Sequence, residues 1–283
     1  VAIAPERVVV TAGASAALLL LTAALVDPGD EVLVGDPSYP CNRRFLSGFG
    51  AQVRLVPTDE HSRFQLDLAA VQRHWSARTR GLMIATPSNP TGTSVPPAEL
   101  AAICGWARAH GAWRIVDEIY LNLSDADAAS GQAAQTVLAS DPGACVINSF
   151  SKYFGMTGWR LGWLVAPEAA VPELEKLAQN LYISASTIAQ HAALACFEPA
   201  TLAILEERRH EFQRRRDFLL PALRELGFGI AVEPEGAFYL YADISAFGGD
   251  AFAFCRHFLE TEHVAFTPGL DFGRYQSNQH VRF

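Results

Sequence analysis

Cys145-Val146-Ile147-Asn148-Ser149-Phe150-Ser151-Lys152-Tyr153-Phe154-Gly155-Met156-Thr157-Gly158-Trp159-Arg160-Leu161-Gly162-Trp163-Leu164-Val165 reads as two short strands, 145–149 and 161–165, joined by a polar, glycine-bearing loop. The strands show little alternation of apolar and polar residues, which marks a sheet covered on both faces. The loop between them carries Lys152. The chain has only two lysines, Lys152 and Lys176, against twenty arginines. Arginine replaces lysine as a solvated cation but not as an amine nucleophile, because the guanidinium stays protonated. Lys152, with small hydroxyls before it and glycines and aromatics after it, is the candidate for a lysine that forms a Schiff base with a carbonyl. Lys176, in Glu173-Leu174-Glu175-Lys176-Leu177, belongs to a solvated helix face.

Working outward, the same kind of strand recurs over 7–11, 31–35, 52–57, 81–86 and 113–117. Helical patterns lie between, over 15–25, 39–47, 67–75, 97–110 and 167–177. Pro96-Pro97 with Glu99 is a helix-start signal. Strands that alternate with helices predict an α/β fold: a mostly parallel sheet with helices on both faces. After about residue 200 the pattern changes. A long helix over 202–226 stops at Gly227, and strands over 230–233 and 238–243 flank a Pro234-Glu235-Gly236 turn. A helix over 250–261 and a strand over 264–267 follow, which predicts a smaller α+β C-terminal domain. The expected division is a cofactor-binding large domain at 1–205 and a small domain at 206–283. Val1 is no initiator and Val281-Arg282-Phe283 reads as mid-strand, so the small domain is expected to be incomplete at both chain ends.

Half of the 283 residues are apolar and the net charge is -8, the composition of a soluble globular protein. The acidic balance argues against a nucleic-acid or anionic-membrane partner. Five widely spaced cysteines form no Cys-x-x-Cys pair and read as reduced thiols of a cytoplasmic protein. The apolar run over 16–26 is too short to span a bilayer. Arg208-Arg209-His210-Glu211-Phe212-Gln213-Arg214-Arg215-Arg216 reads as a salt-bridged helix face rather than a nucleic-acid patch. No metal-ligand pattern is present: His210-Glu211 lacks the second histidine of a zinc helix.

In open parallel sheets, ligands sit beyond the carboxyl ends of the strands. Here those ends carry Gly13-Ala14-Ser15, Asn89-Pro90-Thr91-Gly92, Asp117-Glu118-Ile119-Tyr120 and Ser149-Phe150-Ser151-Lys152. A pyridoxal phosphate site needs a lysine, a carboxylate to hold the pyridine nitrogen protonated, and a phosphate cradle. Asp117 ends an apolar strand, where a charge persists only beside a cationic partner. Gly13-Ala14-Ser15 opens a helix, whose free N–H groups and dipole favour phosphate. Ser149 and Arg160 add a hydroxyl and a charge to that shell. Taken singly, Asp117 is an ordinary strand-end carboxylate, Ser15 an N-cap, Tyr39 and Tyr120 core-edge aromatics, and Arg282 a surface charge.

Ser149-Phe150-Ser151-Lys152 followed by Met156-Thr157-Gly158-Trp159-Arg160-Leu161-Gly162 resembles the lysine signature of class I/II aminotransferases. These are fold-type-I pyridoxal phosphate enzymes related to aspartate aminotransferase. The resemblance extends, in the family's order, through Thr11–Ser15, Asp27-Pro28-Gly29-Asp30-Glu31-Val32, Asp36-Pro37-Ser38-Tyr39, Asn89-Pro90-Thr91-Gly92, Asp117-Glu118-Ile119-Tyr120, Gly236-Ala237-Phe238-Tyr239, Pro268-Gly269 and Val281-Arg282-Phe283. It implies that Lys152 forms the Schiff base and shuttles the substrate proton. By the same resemblance Asp117 pairs with the pyridine nitrogen, Asn89 and Tyr120 bond the phenolic oxygen, and Tyr39 stacks on the ring. Ala14, Ser15, Ser149 and Arg160 hold the phosphate, and Arg282 grips the substrate carboxylate. The implied reaction is ping-pong transamination between amino acids and 2-oxo acids, by a homodimer with shared active sites.

Two alternatives stand beside it: a pyridoxal phosphate-dependent carbon–sulfur β-lyase, and an aminotransferase-like effector domain of a transcription regulator. Ser149-x-x-Lys152 also matches penicillin-recognising serine enzymes, but the Lys-Thr-Gly partner those need is absent. By the same resemblance, part of the substrate pocket comes from the partner subunit, and residues 179–190 should approach that interface. They contain no Lys or Arg, which disfavours a dicarboxylate specialist; Arg43 and Arg44, near Tyr39, are the other basic candidates.

Overall fold

Strands rich in Val, Ile and Leu with no polar face must be covered on both sides, and this one governs the architecture. In the computed structural model, which describes residues 1–125 and 135–283, seven strands form the larger sheet. They are β1 (Val8–Thr11), β2 (Glu31–Asp36), β3 (Gln52–Pro57), β4 (Thr79–Ala85), β5 (Trp113–Asp117), β6 (Cys145–Ser149) and β7 (Gly162–Val165). Their order is β1-β7-β6-β5-β4-β2-β3. All pairings from β6 to β3 are parallel, whereas β7 runs antiparallel to both β1 and β6.

Successive residues feed opposite cores. Val32, Val34, Met83, Ile115 and Ile147 enter one cluster, packed by α1 (Ala14–Leu25), α2 (Pro40–Gly48) and α5 (Val171–Leu181). Leu33, Leu82, Ile84, Val116 and Val146 enter the other, packed by α3 (Leu68–His74) and α4 (Pro97–Ala109). Leu18, Leu21, Ile103, Ile115 and Ile147 are each at most 2 % exposed. Each such side chain contributes about 1.5–3 kcal/mol relative to exposure.

Beyond β7 lie α6 (Thr187–Leu194), α7 (Pro199–Glu225), β8 (Tyr241–Asp243), α8 (Ala251–Thr261), β9 (Thr267–Pro268) and β10 (His280–Arg282). A second sheet of three strands, β8-β10-β9, is antiparallel throughout. Its core joins Leu220 and Leu223 of α7 to Ala242, Ala251, Cys255 and Val281.

Four local expectations change, the first being the strand foreseen over 264–267, of which only Thr267 belongs to a strand, β9 (Thr267–Pro268). No strand forms over 230–233: Gly229 makes a single bridge to Asp243, and then the Ile230 carbonyl accepts from Arg224 Nε and Nη2, which ends the ladder. The strand foreseen over 238–243 keeps only Tyr241–Asp243. The helix foreseen from residue 167 begins at Val171, after a 3₁₀ turn Glu168–Ala170. Pro172 sits in its first turn, where a missing N–H costs nothing.

Candidate active site

The carboxyl ends of β1, β4, β5 and β6 lie along one edge of the large sheet. Because β7 is antiparallel, its first residue reaches the same edge: Gly162 is paired with Thr11 on one side and Ser149 on the other. A cavity of about 340 Å³ opens there. Its wall contains Ala14, Ser15, Tyr39, Asn89, Asp117, Tyr120, Ser149, Lys152, Arg160 and Arg282, so every site residue foreseen from the sequence faces one space.

The loop carrying Lys152 is a chain of turns. Phe150 N donates to Leu161 O, Met156 N to Phe150 O, and Gly155 N to Lys152 O. Phe150 and Phe154 anchor it in a cluster with Met156 and Leu161. The half-buried Lys152 amine lies 5.7 Å from the centre of the Tyr120 ring and 5.8 Å from that of Phe238. Burial, more than any other cause, lowers its pKa; Arg160 and Arg282 lower it further and Asp117 opposes them.

Asp117 closes β5 and is 5 % exposed. Its Oδ1 accepts from Ile119 N at 3.0 Å. Burial pushes the carboxyl up to about 6, against that hydrogen bond and the charge of Lys152. Tyr120 is buried, and its phenol is raised by burial and then by its neighbour Tyr239, 2.7 Å away oxygen to oxygen. Tyr39, at the start of α2, is raised to about 12, chiefly by burial. Asn89 Oδ1 accepts from Arg282 Nη1 at 2.8 Å.

Opposite this group, α1 begins. Gly13 adopts φ +84°, and a Cβ there would sit 2.7 Å from Arg160 Nη2. Ala16 and Ala17 donate back to Gly13 O, while the N–H groups of Ala14 and Ser15, in the first turn, have no intrahelical acceptor. A Cβ on Gly162 would lie 2.9 Å from Ala14 N, so only glycine lets β7 and the helix start meet. Ser149 Oγ is 3.1 Å from Leu161 O and 3.0 Å from Ser151 Oγ. Arg160 Nη1 donates to Thr157 O at 2.9 Å.

Ser151 and Tyr239 also line the cavity and were not singled out from the sequence. The doubled hydroxyl of Ser149-Phe150-Ser151 was a signal for the first. For Tyr239 the signal was an aromatic pair directly after the Gly236-Ala237 turn.

These residues fit pyridoxal phosphate. The buried carboxylate of Asp117 matches a protonated pyridine nitrogen, since burial leaves it in need of a cation. Helix-start amides, two serines and one guanidinium match a phosphate. An amine of lowered pKa stands beside them, suited to a carbonyl.

Comparison with known proteins agrees. Residues 1–283 match the family profile "Aminotransferase class I and II". The valine–pyruvate aminotransferase of Mycobacterium tuberculosis is 38% identical over 282 residues, covering 100% of this chain and 72% of that protein. The aspartate/prephenate aminotransferase of Thermus thermophilus is 35% identical over 285 residues, covering 99% and 71%. The crystal structure of a putative aminotransferase from Silicibacter pomeroyi superimposes with a TM-score of 0.92 at 41% identity, covering 100% of this chain and 74% of that one. The chain belongs to the class I and II aminotransferases, enzymes that use pyridoxal 5'-phosphate to move amino groups between amino acids and 2-oxo acids.

Proposed function

We propose that Lys152 is the amine through which this aminotransferase works, cycling in ping-pong order between an amino acid donor and a 2-oxo acid acceptor. One observation carries the reading: a half-buried amine of lowered pKa shares a cavity with a buried carboxylate on one side and Arg282 on another. Bound pyridoxal phosphate supplies an electron sink for the pair left behind when the substrate loses its α-proton. Lys152 Nζ takes that proton, and its lowered pKa favours the unprotonated amine needed to do so. Asp117 holds positive charge on the ring nitrogen. Asn89 and Tyr120 would hold the phenolic oxygen, and Tyr39 would pack on the ring. The amides of Ala14 and Ser15, the Ser15 and Ser149 hydroxyls and Arg160 grip the phosphate. Arg282 presents its planar fork to the substrate α-carboxylate.

The substrates we favour carry one carboxylate. Among the described residues, the guanidinium groups lining this cavity are those of Arg160 and Arg282, one for each anion already assigned. The similarity to a valine–pyruvate aminotransferase supports the same choice. We further propose that the enzyme is a cytoplasmic homodimer of biosynthetic amino acid metabolism. The five free cysteines support a reducing compartment. Among the described residues no single helix is long and apolar enough to cross a membrane. We place the division between a large and a small domain near residue 205, within α7; the strands of the seven-stranded sheet precede it and those of the three-stranded sheet follow it.

Borohydride reduction of the cofactor-loaded enzyme, followed by peptide mapping, tests the role of Lys152. The label is expected on Lys152, and a label on Lys176 overturns the assignment. Lys152→Ala is expected to lower turnover more than roughly a thousandfold. Release of pyruvate and ammonia without an acceptor would identify a lyase instead.

A further inference from the structure

Tyr239 touches two of the groups to which the proposed function gives different tasks. The Arg282 guanidinium carbon lies 4.5 Å from the centre of the Tyr239 ring and 4.6 Å from that of Phe272. Arg282 Nη1 donates to Asn89 Oδ1 at 2.8 Å and Nη2 to Thr267 Oγ1 at 3.1 Å, which leaves a second N–H on each nitrogen for a carboxylate. A guanidinium packed by two rings and bonded to two acceptors has little freedom to turn, which favours a bidentate grip on a carboxylate. The Tyr239 hydroxyl meets that of Tyr120 at 2.7 Å.

Local chain geometry holds Tyr239 in this place. Gly236 N donates to Gly92 O at 2.9 Å. A Cβ on Gly92 would stand 2.8 Å from Gly236 O and 3.1 Å from Tyr239 O, and one on Gly236 would stand 2.5 Å from Pro87 Cγ. The segment before Tyr239 is therefore pressed against the loop that carries Asn89, with only glycine admitted at either contact.

Either phenol can donate in this pair. Both are raised chiefly by burial. A phenol held at hydrogen-bond distance by a neighbour has its remaining hydrogen-bonding capacity directed elsewhere, and both tyrosines line the cavity.

We infer that Tyr239 is a positioning residue: its ring restrains the guanidinium of Arg282, and its hydroxyl holds that of Tyr120 in place beside the cofactor site. This rests on the roles proposed above for Arg282 and Tyr120. It ties the two ends of the site to one side chain. Substrate carboxylate binding and the acidity of the bound cofactor depend on the same residue through separable parts of it.

The test uses cofactor-loaded wild type, Tyr239→Phe and Tyr239→Leu, read by the pH dependence of the visible absorbance and by binding of 4-methylpentanoate, an unreactive monocarboxylate. Tyr239→Phe keeps the ring and its packing. Its absorbance midpoint is expected to rise by roughly half a pH unit, the worth of a weakened hydrogen bond, with the affinity for 4-methylpentanoate unchanged. Tyr239→Leu should show the same rise and bind the carboxylate about five- to tenfold more weakly, because a ring packed on the cation is lost. A Tyr239→Phe midpoint equal to wild type, or a Tyr239→Leu affinity equal to wild type, overturns the inference. A wild type with no pH-dependent band of bound cofactor would strike the proposed function itself.

Discussion

Asp117 is the residue on which cofactor and fold pull in opposite directions. A carboxyl with a folded pKa near 6, against the ordinary 3.8, binds its proton more readily folded than unfolded. Its contribution to stability is therefore present at low pH and is lost as pH rises from about 4 through about 6. The apoprotein of Asp117→Asn should then be the more stable at pH 8, by on the order of 2 kcal/mol, with the gap closing toward pH 4. The amide oxygen can still accept from Ile119 N. With cofactor bound the order should reverse, and turnover should fall about a hundredfold or more, because the neutral amide cannot hold a charged ring nitrogen. Thermal melts with and without pyridoxal phosphate at the two pH values measure both effects; an apoprotein variant less stable than wild type at pH 8 would contradict the burial argument. Lys152 stood out in the sequence as one of two lysines; Asp117, an ordinary strand-end carboxylate when taken singly, stood out only in company with it. Tyr239 and Ser151 did not, since an aromatic after a turn and a serine beside a serine acquire meaning only from what the fold sets opposite them.

At the scale of elements, β7 does what its apolar pattern does not announce. A strand buried on both faces shows the same composition whichever way it runs. Its antiparallel insertion between β1 and β6 was therefore illegible, although its position in the chain was plain. The direction matters because it delivers Gly162 to the start of α1. A methyl at this position would lie 2.8 Å from Asn148 O and 2.9 Å from Ala14 N. Gly162→Ala is expected to lower stability by about 1–3 kcal/mol, since a packed site must shift to admit it. It should also push the α1 amides off their phosphate line. The ratio of affinities for pyridoxal phosphate and pyridoxal, which lacks the phosphate, should fall in the variant; an unchanged ratio would remove Gly162 from the cradle. The strand expected over 230–233 fails to form for a different reason. Its residues suit a strand, but the Arg224 side chain, from a helix, takes the Ile230 carbonyl that a neighbouring strand would have used.

For the whole molecule, the informative surface lies over residues 181–197. Ile183 is 80% exposed, Phe197 57% and, on α6, Ile188 74% and Leu194 66%, while Ala189 and Ala193 of that helix are buried. Nothing in the sequence separated these exposed residues from core ones, because periodicity shows that a helix has an apolar face and not what covers it. The helix Thr187–Leu194 carries no Asp, Glu, Lys or Arg. Two copies of a chain with net charge -8 repel each other over most of their surface, so an uncharged apolar segment is where they approach at least electrostatic cost. The proposed homodimer is therefore expected to pair through this segment. Ile188→Glu would bury two like charges at such an interface without touching the core of either copy. Its mass by light scattering should fall from dimer to monomer at micromolar concentration, while its circular dichroism stays that of the wild type. A variant that remains dimeric would move the interface to another exposed apolar group, of which Phe252 and Leu259 on α8, at 56% and 52%, are the next to change.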